Sequence, residues 1–173
     1  MLKFTKINDE VCYTTEPVTQ VDAADIARLK EMAKSNPRRR VRLCGHLDAE
    51  DRVHEMLIVH SRGNYVPPHR HPGKSESFHT VEGTLAVIVF TDAGEVTDVI
   101  RMGPHGSGRT FFYRLSETRY HTVIPTSDVV VFHETTNGPF RREEMEFAPW
   151  APGEDAPPER QKAFVLDLTR RFL

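Results

Sequence analysis

Cysteine is nearly missing from this chain: Cys12 and Cys44 are the only two among 173 residues. Two unpatterned cysteines exclude a disulfide framework, and both are expected to be free thiols. An excess of one charge is missing as well. Lys and Arg total 23 against 25 Asp and Glu, a formal net charge of -2. A dedicated nucleic-acid binder needs a basic surface from which to gain counterion-release energy, so that class is set aside. The one basic concentration is Arg38-Arg39-Arg40, with Arg42 just beyond it. No apolar run approaches the roughly 18 residues that a membrane-spanning helix requires. The opening MLKFTKINDEVCYTTEP carries acidic and polar residues where a secretory signal would place its apolar segment. A cytoplasmic protein with no membrane partner is therefore expected. Internal repeats are absent, and so are the long helices between strands that a parallel α/β sheet demands.

What is present fits one domain with extensions. Hydrophobic residues make up 38% and charged residues 28%, and a chain of this length should bury about two-thirds of its unfolded surface. Asp22 to Ala33 reads as a helix: Asp22 caps it, Asp25 stands at N3, and Ile26, Leu29 and Ala33 share a face. Asn36-Pro37 ends it. From Val41 the pattern changes to short strand-like runs: Val41–His46, Val53–His60, Tyr65–His69, Ser77–Val81, Leu85–Thr91, Val96–Arg101, Thr110–Leu115, His121–Ile124 and Val129–Glu134. Turn residues separate them, with Asp92-Ala93-Gly94 a hairpin signal. This spacing predicts an all-β antiparallel barrel or sandwich with a short N-terminal helix. The expected divisions are an N-terminal extension over 1–37, a barrel over 38–146 and a proline-rich extension over 147–173. In the last, FAPWAPGEDAPP should wrap the surface around Trp150, and the alternating Phe164, Leu166 and Leu168 predict an edge strand over Ala163–Leu168.

The chemistry concentrates in GNYVPPHRHPGKSESFHTVEG, residues 63–83. On a strand, His69 and His71 point to one face and can share an ion. Glu76 can return to the same place from a neighbouring strand, and His121 stands ahead of another apolar run. Three neutral imidazoles and a carboxylate are an ordinary ligand set for a divalent transition metal, with Fe, Mn, Ni and Zn all compatible. A buried carboxylate also calls for a compensating cation.

This spacing resembles the first motif of the cupins: Gly63, His69, His71, Glu76 and Gly83 match its anchors. The resemblance implies a double-stranded β-helix, or jelly-roll barrel, with His121 supplying the fourth metal ligand from a second motif. That second motif is less faithful, since no Pro-x-Gly precedes His121 and Pro125 stands where asparagine is usual. A closer resemblance is to the WbuC-type cupin-fold metalloproteins, carried by RVRLCGH at Arg40–His46, VPPHRHP, EGTLAVIVFTDAGEV, YHTVIP, FHETTNGPF and FAPWAP. His54 departs from it, at a position where glutamine is expected. The resemblance implies a link to bacterial surface polysaccharides and leaves the reaction open.

Other residues complete the candidate site. Arg40, Arg42 and Cys44 share a strand face, so the two guanidiniums can grip a carboxylate or phosphate, with His46 just beyond them. His133 and Glu134 alternate, so one of them faces inward as an acid or base. Tyr65 is a further catalytic candidate, and Arg70 should point away from His69 and His71. Three functions fit these features: a metal-dependent isomerase, epimerase or lyase for a sugar-like or other small anionic substrate; an Fe(II)-dependent dioxygenase; and a non-enzymatic module that binds a sugar-like ligand. A homodimer is expected, with the N-terminal segment or the tail strand covering a partner's sheet edge.

Overall fold

The computed structural model describes residues 2–173. Its strands in chain order are β1 (Phe4–Lys6), β2 (Val11–Thr14), β3 (Arg40–Cys44), β4 (Val53–Ser61), β5 (His69–Arg70), β6 (Glu76–Glu82), β7 (Leu85–Phe90), β8 (Val96–Met102), β9 (Phe112–Leu115), β10 (Tyr120–Pro125), β11 (Val129–Asn137) and β12 (Glu146–Phe147). Two helices, α1 (Ala23–Ser35) and α2 (Pro158–Phe172), flank them. A seven-stranded sheet runs β1-β2-β3-β4-β11-β6-β9, facing a five-stranded sheet β12-β5-β10-β7-β8. Pairing is antiparallel except between β2 and β3, which run parallel. The core lies between the sheets, where Met56, Ile58, Phe78, Val87, Val123 and Phe132 interlock.

The sequence pattern explains most of this frame. The Asp22 carboxylate accepts from the N–H groups of Ala24 at 2.8 Å and Asp25 at 3.0 Å, and Asp25 accepts from the Asp22 N–H, closing a capping box. Leu29 and Ala33 then seal the outer face of the large sheet against Val41, Leu43, Val59 and Val131. That packing covers both faces of the sheet there, so β4 loses its alternation toward its end. β7 is buried at every position for the same reason, because α2 and the tail cover its outer face. Gly83 turns the chain from β6 to β7 at φ +72°, where a Cβ would run into the Val129 carbonyl.

Three expectations are corrected. Ala163–Leu168 is no strand but the middle of α2, in which Phe164, Leu168 and Phe172 repeat at four and pack with Ile88, Phe90 and Ile124. The apparent alternation overvalued Leu166, which is 47% exposed. Pro157 and Pro158 start this helix, where a missing N–H costs nothing. Of Tyr65–His69 only His69 enters a strand, the two-residue β5, because Pro67 and Pro68 have no N–H to donate. The N-terminal segment adds β1 and β2 to its own sheet. β1 stands at the end of that sheet, whereas the helical tail offers no strand to a partner's edge. Trp150 does anchor the tail, donating to the Asp92 carbonyl at 3.1 Å and packing on Phe90. Both cysteines are free and buried. Among the described residues, no helix is long and apolar enough to cross a membrane.

Candidate metal centre and its cavity

The two sheets bring four donors to one point. His69 on β5 and His121 on β10 are directly opposite in register, with ring centroids 4.7 Å apart. His71, one residue past the end of β5, places its ring 4.9 Å from that of His69. The ligand atoms of His69, His71 and His121 all lie within 4.8 Å of one another. Glu76 arrives from the facing sheet as the first residue of β6. Its Oε1 lies 2.9 Å from His121 Nε2 and its Oε2 3.9 Å from His71 Nε2.

Two backbone carbonyls orient the rings. His69 Nδ1 lies 2.8 Å from the Pro67 carbonyl and His121 Nδ1 3.0 Å from the Arg119 carbonyl. A carbonyl only accepts, so each Nδ1 donates its proton outward and each Nε2 faces the common point. His121 Nε2 and Glu76 Oε1 are buried without a hydrogen-bond partner despite their proximity. Such a pair needs a cation between its atoms, either a proton or a metal ion. One proton satisfies one imidazole only. Burial, reinforced by His121 and His71, drives His69 down to about 3, and burial lowers His71 as well. Burial also opposes charge on His121, where the adjacent Glu76 carboxylate prevails and raises its pKa. A divalent ion, in contrast, compensates all four donors at once. The residues fit it.

The donors line a cavity of about 210 Å³ between the sheets. Other inward residues follow from strand register. Glu134 sits opposite Phe78 on β6 and Met56 on β4, diagonal to Glu76, and lines the cavity. Burial and the Glu76 charge push its carboxyl up to about 8, against the pull of Arg42 and His121. His133 turns to the other face, toward Glu55 and His79, so the inward member of the alternating pair is Glu134. Tyr65 is also outside the cavity: its hydroxyl donates to the Pro152 carbonyl at 2.6 Å and its ring packs on Phe164. Arg70 points outward, as its position in the H-x-H run requires, to Glu146 and Asp92.

Both Arg40 and Arg42 border the cavity. Arg40 is already committed, with Nε donating to Glu10 at 2.7 Å and its guanidinium 3.6 Å from Glu154. Glu154 belongs to the proline-rich tail and ties Arg38 and Arg142 to the same rim. Burial works against its charge, but hydrogen bonds from Arg142 and Arg38 hold it down to about 2. Arg42 forms no ion pair among the described residues, in contrast to the pairings of Arg40. His46 lines the cavity and stacks on His54 at 4.0 Å, with Nδ1 3.2 Å from the Glu55 backbone. His54 and His60 belong to the same wall, and sequence reasoning gave neither a role. The available signal was the spacing His54, Met56, Ile58, His60, a period of two that places all four on the inner face of β4.

Two facing sheets with this strand order form a jelly-roll β-sandwich, with the H-x-H pair opposite the histidine of β10. The sheets do not close into one continuous barrel. A family model described only as a domain of unknown function, DUF6016, matches residues 21–102. No curated protein matches the chain. Among solved structures, protein SO0799 from Shewanella oneidensis is similar over 57% of this chain and 63% of its own, at 12% identity and a TM-score of 0.48. Bacillus subtilis oxalate decarboxylase, described with Mn(II) centres, is similar over 56% of this chain and 24% of its own, at 16% identity and a TM-score of 0.43. The Cnp3 cupin domain of Schizosaccharomyces pombe is similar over 57% and 64%, at 15% identity and a TM-score of 0.43. In each case the chain spans less than two-thirds of its neighbour's length.

Proposed function

We propose that the protein is a metal-dependent isomerase, epimerase or lyase for a small, oxygen-rich anion, with Glu134 as its proton-transfer group. One observation carries the reading: a half-buried carboxyl, that of Glu134, lines the same cavity as the three converging histidines and Glu76. The divalent ion, whether Fe, Mn, Ni or Zn, supplies Lewis acidity toward a carbonyl or hydroxyl oxygen. Arg42 orients the substrate through its anionic group. Glu134 takes a proton from the carbon beside the polarised oxygen and returns it to the same or a neighbouring carbon. Apolar walls from Ile58, Phe78 and Val123 exclude water while the proton is held. The resemblance to WbuC-type proteins supports a building block of surface polysaccharide as the source of the substrate.

The test is proton exchange. Metal-loaded protein is incubated in heavy water with hydroxy and keto acids of sugars, and loss of carbon-bound protons is followed by NMR. Exchange that Glu134→Gln abolishes at undiminished metal content is the expected result. Saturable binding with no exchange on any substrate would instead make the protein a binding module.

A further inference from the structure

The far wall of the cavity restricts the kind of molecule that fits beside the four donors. A space of about 210 Å³ is smaller than the roughly 300–1,000 Å³ of pockets that take drug-sized ligands. It suits a ligand of single-ring size better than a sugar joined to a nucleotide. Charge narrows the choice further. Arg40 is neutralised by Glu10, with Glu154 close by, and Arg141 and Arg142 pair with Glu50 and Glu154, which leaves Arg42 as the cavity guanidinium without an ion pair among the described residues. One free guanidinium matches a monocarboxylate better than a doubly charged phosphate, which would also face Glu134, Glu10 and Glu154.

The remaining polar atoms of the wall are imidazole nitrogens. His46 Nε2, His54 Nε2 and His60 Nδ1 are buried without partners, and all three rings border the cavity. Burial holds His60 down to about 3, helped by the nearby Arg40 and Arg42, and burial also lowers His46. A neutral imidazole offers one donor and one acceptor, the same complement as a hydroxyl group. Buried nitrogens without a protein partner are costly, so a ligand whose hydroxyls pair with them gains affinity.

We infer that the cavity takes a compact polyhydroxy acid of single-ring size, its carboxylate on Arg42 and its hydroxyls along His46, His54 and His60, rather than a nucleotide-linked sugar. The inference rests on the reading of the metal site above, because it places the oxygens at the opposite end of the molecule near the four donors. The test is calorimetric titration of metal-loaded protein with glucuronate, glucose, UDP-glucuronate and inorganic phosphate, with metal content measured on the same samples. A charge-assisted hydrogen bond should favour glucuronate over glucose by roughly 10- to 100-fold. Arg42→Gln should erase that preference at unchanged metal content, and His60→Leu should weaken glucuronate and glucose alike. UDP-glucuronate or phosphate binding as tightly as glucuronate would overturn the inference, as would a preference that survives Arg42→Gln. Failure of glucuronate to bind at full metal content would overturn it and leave the metal centre standing. Glucuronate binding by protein that takes up no metal would support the wall and remove the metal reading.

Discussion

The two ends of the cavity solve the same problem differently. At the His69–Glu76 end, every donor is aimed before any ligand arrives. Two rings are pinned by backbone carbonyls, and the acid that balances them is buried beside them. At the Arg42 end the wall is polar and less committed: the guanidinium has no ion pair among the described residues, and three imidazole nitrogens lack protein partners. The neighbouring Arg40, only two residues away on the same strand face, is fully engaged. Pre-aimed donors suit a permanent ion, and unsatisfied groups suit a ligand that comes and goes. Position on a strand is thus a poor guide to role, because partners separate Arg40 from Arg42.

The largest expected effect falls on the pre-aimed end. His121→Ala removes a ring whose orientation is already fixed, and should lower metal affinity at least about 100-fold, with Arg42→Ala leaving it near normal. Competition against a chelator reads both, and equal loss in the two variants would break the contrast. Next comes Glu134→Gln, which should retain metal and cost about 100-fold or more in turnover once a substrate is found. The arginines follow. Arg40→Ala leaves Glu10 without its closest partner at a part-buried rim, and should destabilise the fold by about 1–3 kcal/mol in urea unfolding. Arg42→Ala strands no partner and should be close to neutral. A larger loss from Arg42 than from Arg40 would reverse the assignment.

The smallest effect concerns pH. His60 resists protonation down to about 3 in the folded protein, from an ordinary value of 6.5. Below 6.5 the unfolded chain therefore binds the extra proton first, so stability falls as pH drops through that window. The slope from this residue is roughly 1 kcal/mol per pH unit. His60→Gln should flatten the acid limb of a stability–pH profile by that amount. An unchanged slope would show that His60 does not enter the folded state neutral.

These contrasts also show which parts of the chain were legible. His69, His71 and Glu76 could be read together because they and the glycines around them lie within one short segment, whereas His121 reaches them through the pairing of β10 with β5. The helix at Ala23–Ser35 was readable from Asp22 and Asp25 for the same local reason. The far wall was not, because its members meet only through the register of β3, β4 and β11. Nothing local distinguishes His54 and His60 from other histidines, or says that Glu10 and Glu154 will claim Arg40. Glu134 could be narrowed to one of two alternating positions, and only pairing with β6 decided between them. The tail failed for a different reason. Phe164, Leu166 and Leu168 satisfy a period of two, while Phe164, Leu168 and Phe172 satisfy 3.6, and the longer pattern won when α2 found the outer face of β7 and β10 to cover.

The central claim, that His69, His71, Glu76 and His121 hold one divalent transition ion, is tested most directly by elemental mass spectrometry. The protein would be purified without a histidine tag or added metal, alongside His121→Ala. The account predicts close to one equivalent of a transition metal in the parent protein and a small fraction of that in the variant. A parent protein free of metal in every preparation, or a variant that keeps the full equivalent, would contradict it.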